Sequence, residues 1–130
     1  MKRISIIIMT VASAGLMILG CISNQAPTTP KVGKPLVRCL PPSTEGVELA
    51  GGTVRAKSGY KFVKRPDGSV TVARMAGGGT GVSFSCHCQA EGTCTVVIHI
   101  DAIYCQSMCS GVCRLAIYPK AGPAIPIIAY

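Results

Sequence analysis

Apolar and polar residues alternate in three short stretches in the second half of the chain. In each stretch the cysteines lie on the same side as the aliphatic residues: Val82, Phe84, Cys86 and Cys88; then Cys94, Val96, Ile98 and Ile100; then Cys113, Leu115 and Ile117. Successive side chains of a β-strand point to opposite faces of the sheet. The pattern therefore predicts three strands whose sulfur atoms face an apolar core.

A second alternating pattern predicts a β-hairpin earlier in the chain. Residues 60–65 and 69–74 flank Pro66-Asp67-Gly68, which is a strong turn signal. One side of the two strands then carries Tyr60, Phe62, Val70 and Val72, and the other carries Lys61, Val63, Arg65, Thr71 and Ala73. The expected hairpin is amphipathic and has a basic outer face.

The remaining segments also favour strands. Residues 47–57 have strand character around a turn at Gly51-Gly52, and we expect residues 82–88 and 94–100 to pair as a hairpin. Residues 112–118 form a further candidate strand, and residues 125–130 a weaker one that Pro126 restricts to a sheet edge. The glycine-rich residues 75–81 suggest a hinge between two β segments, and only residues 102–111 suggest a helical turn.

The N-terminus has the features of an export signal. A short positive segment, residues 1–3, precedes an apolar run at residues 4–19, which is shorter than the ~20 apolar residues of a comfortable transmembrane helix. Ile18-Leu19-Gly20-Cys21 resembles the lipobox of bacterial lipoprotein precursors, with Leu at a position where a small residue is more usual. Two alternatives remain, namely ordinary cleavage after Ala12-Ser13-Ala14 and an uncleaved apolar anchor.

The lipobox resemblance covers residues 1–21 only and implies lipidation of Cys21. Acyl chains such as palmitate would then hold the protein on a membrane, since each buried CH₂ contributes about 0.8 kcal/mol. The expected location is the bacterial cell envelope. In a host with two membranes, Ile22 after the cysteine is compatible with the outer membrane by the same resemblance.

These features divide the chain into four segments. They are a signal peptide (1–20), a lipid-anchored tether rich in proline (21–45), a basic hairpin segment (46–76) and a cysteine-rich β segment (77–130), the last two forming one domain. The predicted fold is all-β: a small antiparallel domain stabilised by disulfides. Disulfides suit a domain of this size, because its apolar core alone gives marginal stability.

Cysteines in an exported chain of this length usually form disulfides. The candidates are Cys39, Cys86, Cys88, Cys94, Cys105, Cys109 and Cys113. Cys86 and Cys88 would lie about 6.6 Å apart along one strand, near the limit for a bridge, so each should pair elsewhere. A Cys88–Cys94 bridge would close the expected hairpin.

At most one bridge can form among the three cysteines at 105, 109 and 113. The others must then cross to Cys86 or to Cys39, which would pin the tether to the domain. Sequence alone does not choose among these pairings.

The alternative chemistry is metal binding. Cys86, His87, Cys88 and Cys94, or the three cysteines at 105, 109 and 113, could supply ligands to zinc or copper. Against this hypothesis, the C-x2-C spacing of structural zinc sites is missing, and His87 falls on the strand face opposite its neighbouring cysteines. We therefore expect no cofactor.

Positive charge is concentrated in the first half of the mature chain. Loss of Lys2 and Arg3 with the signal lowers the net charge from +8 to +6. The candidate residues for binding an anionic surface are Lys57, Lys61, Lys64, Arg65 and Arg74. Anionic envelope lipid or phosphorylated glycan is the expected partner; a merely solvated basic face is the alternative. An exported chain rarely meets nucleic acid, and this one has few aromatic residues to stack on bases.

No catalytic constellation is found in the sequence. It lacks a G-x-S-x-G elbow and a C-x-x-C redox pair. The expected function is therefore that of a non-catalytic, membrane-anchored envelope lipoprotein whose small β domain binds a protein partner or an anionic envelope component. The alternative is a periplasmic or surface metal-binding protein that uses Cys and His.

Overall fold

A computed structural model describes residues 31–130 of the chain. The predicted signal peptide, the lipidation site Cys21 and the first part of the tether lie outside these residues. The described part folds into ten strands: β1 (Lys34–Pro35), β2 (Val47–Ala50), β3 (Thr53–Ala56), β4 (Tyr60–Lys64), β5 (Val70–Arg74), β6 (Gly79–Cys88), β7 (Gly92–His99), β8 (Ala102–Cys109), β9 (Cys113–Tyr118) and β10 (Ile125–Ala129). The prediction of a small all-β fold is confirmed.

The strands form two antiparallel sheets. The large sheet has the order β1-β10-β9-β6-β5-β4, and the small sheet has the order β2-β3-β8-β7. Both sheets contribute to one apolar core, in which Val54 and Ile103 of the small sheet and Val72, Phe84 and Ile117 of the large sheet are fully buried. The two sheets thus pack face to face as a sandwich.

Both early hairpins form as predicted. β4 pairs with β5 across the Pro66-Asp67-Gly68 turn, and β2 pairs with β3 across Gly51-Gly52. Val70 and Val72 are fully buried, and Phe62 packs edge-on against Phe84 with ring centroids 6.1 Å apart. The period-two alternation identified the buried face of β4–β5 because that face packs directly on the core.

The predicted hairpin between residues 82–88 and 94–100 is wrong. β6 lies in the large sheet between β5 and β9, whereas β7 lies in the small sheet beside β8. The predicted helical turn at residues 102–111 is also wrong, since β8 runs through most of it. Cysteines four residues apart share a face in a helix and in a strand alike, so their spacing could not distinguish the two.

The glycine-rich run and the end of the tether are also more integrated than expected. Residues 75–78 form a tight turn between β5 and β6, which pair in one sheet, so the run does not separate two independent β segments. β1 adds to β10 at the sheet edge, and Val37 and Leu40 pack against the core. These apolar contacts hold residues 34–40 of the predicted tether on the domain.

Pro126 lies in β10, the strand next to the edge, where the register shifts between Pro126 and Ile128. The predicted fourth strand therefore exists, and the two-residue β1 covers only its far end. The prediction that Pro126 restricts this strand to a sheet edge is wrong, because β1 lies outside β10. Proline is tolerated at this position because the ladder is irregular beside it.

The two-residue turn between β7 and β8 has an unusual occupant. Ile100 has a φ of 58° and is 86% exposed, at the first position of a turn where glycine is preferred. A β-branched residue in this conformation costs roughly 1–2 kcal/mol. We expect Ile100→Gly to raise the free energy of unfolding by about 1 kcal/mol, measured by denaturant titration. Ile100→Val keeps the branched Cβ and should leave the free energy of unfolding unchanged. An equal gain in stability from Ile100→Val would show that backbone strain at residue 100 is not the cause.

Candidate functional site

Three disulfides join the two sheets at one end of the sandwich. Cys86–Cys105 and Cys88–Cys109 link β6 to β8, and Cys94–Cys113 links β7 to β9. Each bridge therefore connects a strand of the large sheet to a strand of the small sheet. The cysteines of β6, β7, β8 and β9 meet because the inward faces of all four strands line the same core.

The bridges bring the two sheets closer together than ordinary sheet packing does. The bridged Cα atoms are 5.8 to 6.0 Å apart, whereas stacked sheets usually lie about 10 Å apart. At this end the disulfides form part of the interior packing. Cys105 and Cys113 are fully buried, and Cys86, Cys94 and Cys109 pack partly buried against the core.

The observed pairing corrects part of the predicted connectivity. Cys86 and Cys88 pair elsewhere, as expected from their spacing, but Cys88 does not pair with Cys94. No bridge forms among Cys105, Cys109 and Cys113, since each crosses to the opposite sheet. The proposed Cys88–Cys94 bridge rested on a hairpin that does not exist.

Cys39 is also disulfide-bonded. Because the six cysteines of residues 86–113 bond among themselves, Cys39 does not pin the tether through any of them.

The structure does not bring the predicted metal ligands together as thiolates. The sulfur atoms of Cys88, Cys94 and Cys109 lie within 4.8 Å of one another, but all three belong to disulfides. His87 points to the outer face of the large sheet, where its Nε2 is hydrogen-bonded to Tyr118 OH at 2.9 Å and Ser85 Oγ at 3.1 Å. In this oxidised form the sulfur cluster has no thiolate to offer a metal.

The five basic candidates differ in their surroundings. Lys57, Lys61 and Arg65 are exposed, and among residues 31–130 none of them forms an ion pair. Lys61 lies on β4, the edge strand of the large sheet, and Arg65 begins the turn that follows. These three side chains are named here the hairpin cations. Lys57 and Lys61 have no acidic partner among residues 31–130, and Arg65 has only a Coulombic interaction with the Asp67 carboxylate, without an ion pair.

Lys64 and Arg74 are already engaged within the domain. Lys64 Nζ donates a hydrogen bond of 3.3 Å to Val96 O on β7. Arg74 donates to both carboxylate oxygens of Glu45, at 2.9 and 3.0 Å. A hydrogen bond from Tyr60 and the Arg74 guanidinium lower the pKa of Glu45. Arg74 therefore holds residue 45 against the hairpin and contributes little free charge.

Sequence reasoning missed a polar groove between the two sheets. Its lining comes from three places: Asp67, Gly68 and Ser69 of the β4–β5 turn; Ser85, Cys86 and Tyr118 of the large sheet; and Thr93, Cys94, Thr95 and Val96 of β7. The groove has a volume of about 590 Å³. Its residues are far apart in sequence and carry no shared motif, so only the fold reveals it.

Comparison with protein families, curated proteins and solved structures finds no match for this chain. Within residues 31–130, no helix has the length and apolarity needed to cross a membrane.

Proposed function

We propose that this protein is a non-catalytic, lipid-anchored envelope protein whose disulfide-stapled β sandwich binds an anionic envelope component. Cys21 would carry the lipid, and the hairpin cations would contact lipid phosphate or phosphorylated glycan. The observation that carries the binding proposal is the exposed positive charge of Lys57, Lys61 and Arg65, none of which forms an ion pair among residues 31–130. Two other basic residues nearby, Lys64 and Arg74, are neutralised or engaged by the domain itself.

The balance of charge supports this proposal. Residues 31–130 keep the net charge of +6 that remains after Lys2 and Arg3 are excluded. Of the few acids in this part, Glu45 and Asp101 are paired with arginines. Asp67 accepts two hydrogen bonds from Ser69, which lower its pKa. A net positive surface of this kind attracts anionic surfaces, and salt screens the attraction.

A structural role for the same residues makes a different prediction. Exposed edge strands are often protected from edge-to-edge pairing by lysine, and Lys61 lies on the edge strand β4. If protection is their only role, loss of the hairpin cations should promote aggregation without changing adsorption to membranes.

We expect Lys57→Gln, Lys61→Gln and Arg65→Gln together to weaken adsorption to phosphatidylglycerol-containing vesicles by roughly tenfold or more. Each basic residue near an anionic surface contributes about 1 kcal/mol. Vesicle sedimentation of residues 21–130 carrying Cys21→Ser, which lack both the lipid and the apolar run at residues 4–19, measures the protein's own affinity. The loss should be largest at low salt.

A matched variant separates the hairpin cations from net charge. Lys34→Gln, Arg114→Gln and Lys120→Gln remove the same charge from β1, β9 and the loop after β9, and all three residues are exposed. Adsorption should fall less in this control. If wild type and both variants adsorb equally across the salt range, the hairpin cations do not bind anionic surfaces and are only solvated surface residues.

A further inference from the structure

The polar groove is lined mainly by hydroxyl groups. Five of its side chains carry one: Ser69, Ser85, Thr93, Thr95 and Tyr118. Hydroxyls both donate and accept hydrogen bonds. Among the described residues that line the groove, Asp67 is the only charged one, so the groove differs chemically from the hairpin cations.

Two hydrogen-bonded clusters fix the groove's polar walls. On one wall, Asp67 Oδ1 accepts bonds from the backbone N–H of Ser69 at 2.9 Å and from Ser69 Oγ at 2.6 Å. On the outer face of the large sheet, His87 Nε2 is hydrogen-bonded to Tyr118 OH and Ser85 Oγ, and Ser85 and Tyr118 also line the groove. Side chains fixed in this way lose less conformational freedom on binding, which favours affinity.

The strands β6 and β7 that line the groove are held in place by disulfides. Cys86 and Cys94 line the groove, and their bridges to Cys105 and Cys113 tie both sheets together below it. The Lys64–Val96 hydrogen bond ties β4 to β7 beside it. The groove is therefore a rigid feature of the stapled end of the sandwich.

We propose that this groove binds an uncharged oligosaccharide. Its hydroxyls and the Asp67 carboxylate can hydrogen-bond sugar hydroxyl groups, and the ring of Tyr118, 37% exposed, can pack on the apolar face of a sugar ring. The Asp67 carboxylate in the lining disfavours an anionic ligand, and the ammonium group of Lys64 beside the groove is already bonded to Val96 O. A volume of about 590 Å³ is within the usual range of ligand sites.

An extended peptide is the rival occupant, because β7 is an edge strand of the small sheet and could accept another strand. Strand addition relies on pockets for alternate side chains as well as on backbone bonds. The hydroxyl-rich lining offers little apolar surface for such pockets. The sugar fits the lining better.

The test uses residues 21–130 carrying Cys21→Ser, without lipid or signal peptide, and three uncharged probes: maltotriose, cellotriose and triacetylchitotriose. Amide chemical shifts followed by NMR at millimolar sugar should move at residues of the groove for at least one probe. Tyr118→Ala and Asp67→Asn should each weaken that binding by about tenfold, which corresponds to 1.4 kcal/mol. Lys61→Gln, outside the groove, should leave it unchanged, as should raising the salt to roughly 0.5 M.

His87→Ala tests the positioning of the wall. It should weaken binding while leaving the disulfides intact, because it releases Tyr118 and Ser85 without removing either side chain. Tyr118→Phe keeps the ring and should bind better than Tyr118→Ala.

Several results would overturn the proposal: no shift with any of the three sugars, equal shifts in the Tyr118→Ala and Asp67→Asn variants, or the same shifts with glycerol at equal hydroxyl concentration. Binding of an extended peptide in place of all three sugars would also overturn it and assign the groove to strand addition. None of these results bears on adsorption to anionic vesicles, so the two proposals fail independently.

Discussion

Removal of the Cys94–Cys113 bridge is expected to lower the free energy of unfolding by about 2–5 kcal/mol, which is comparable with the whole stability of a small domain. The bridge joins β7 to β9 across the sandwich and closes a loop with a sequence separation of 19. Loss of the bridge raises the conformational entropy of the unfolded chain. It also leaves a cavity at the fully buried Cys113. Paired Cys94→Ala and Cys113→Ala substitutions avoid a stray thiol, and denaturant titration measures the change.

The three bridges should contribute unequally to the free energy of unfolding. Cys105 and Cys113 are fully buried, whereas Cys88 and Cys109 are both partly exposed. The loops have similar lengths, with separations of 19, 21 and 19, so the entropic contribution to each is nearly the same. We therefore expect loss of Cys88–Cys109 to cost the least. A larger loss from Cys88→Ala with Cys109→Ala than from either other pair would contradict this reasoning.

Replacement of Cys21 by Ser is expected to abolish lipidation and to leave an unacylated precursor. The prediction rests on the lipobox resemblance of Ile18-Leu19-Gly20-Cys21. Mass spectrometry of membrane and soluble fractions measures it. Ala14→Leu is the reciprocal control: it should block ordinary signal peptidase at Ala12-Ser13-Ala14 and leave lipoprotein processing unaffected. Normal processing of Cys21→Ser, together with a block in Ala14→Leu, would show that the protein is secreted without lipid.

The state of Cys39 provides a second readout for the same question. A lipid thioether occupies the Cys21 sulfur and so excludes Cys21 from any disulfide. Since Cys39 is disulfide-bonded and the six cysteines of residues 86–113 bond among themselves, lipidation of Cys21 requires Cys39 to bond a thiol of another molecule. A peptide linking Cys21 to Cys39 in protein isolated from the envelope would contradict the lipid anchor.

Local patterns predicted strands where one face packs directly on the core. Val70 and Val72, for example, alternate with polar residues, and both are fully buried. The assignment of strands to sheets was not accessible in this way. The inward faces of β6 and β7 have the same pattern whether they pair side by side or lie opposite each other in two sheets. Only the long-range pairing of β6 with β9 and β7 with β8 decides between them.

The same limit applies to the candidate sites. Composition located the positive charge but could not show that Glu45 neutralises Arg74, a contact between residues 29 positions apart. The groove depends on the approach of the β4–β5 turn to β7, which no local signal encodes. His87 was correctly placed opposite the cysteines by strand alternation, yet its bond to Tyr118 joins residues 31 positions apart.

Disulfide mapping of the unreduced protein tests the stapled sandwich most directly. All six cysteines of residues 86–113 lie between Arg74 and Arg114 with no other Lys or Arg between, so trypsin alone cannot separate them. Cleavage at Glu91, Asp101 and Met108 does separate Cys94 and Cys105 from the others. The sandwich predicts that the fragment with Cys86 and Cys88 is linked to that with Cys105 and to that with Cys109 and Cys113, and that the Cys94 fragment is linked only to the last. A link between the Cys94 fragment and the Cys86–Cys88 fragment, or free thiols that retain zinc or copper, would contradict it.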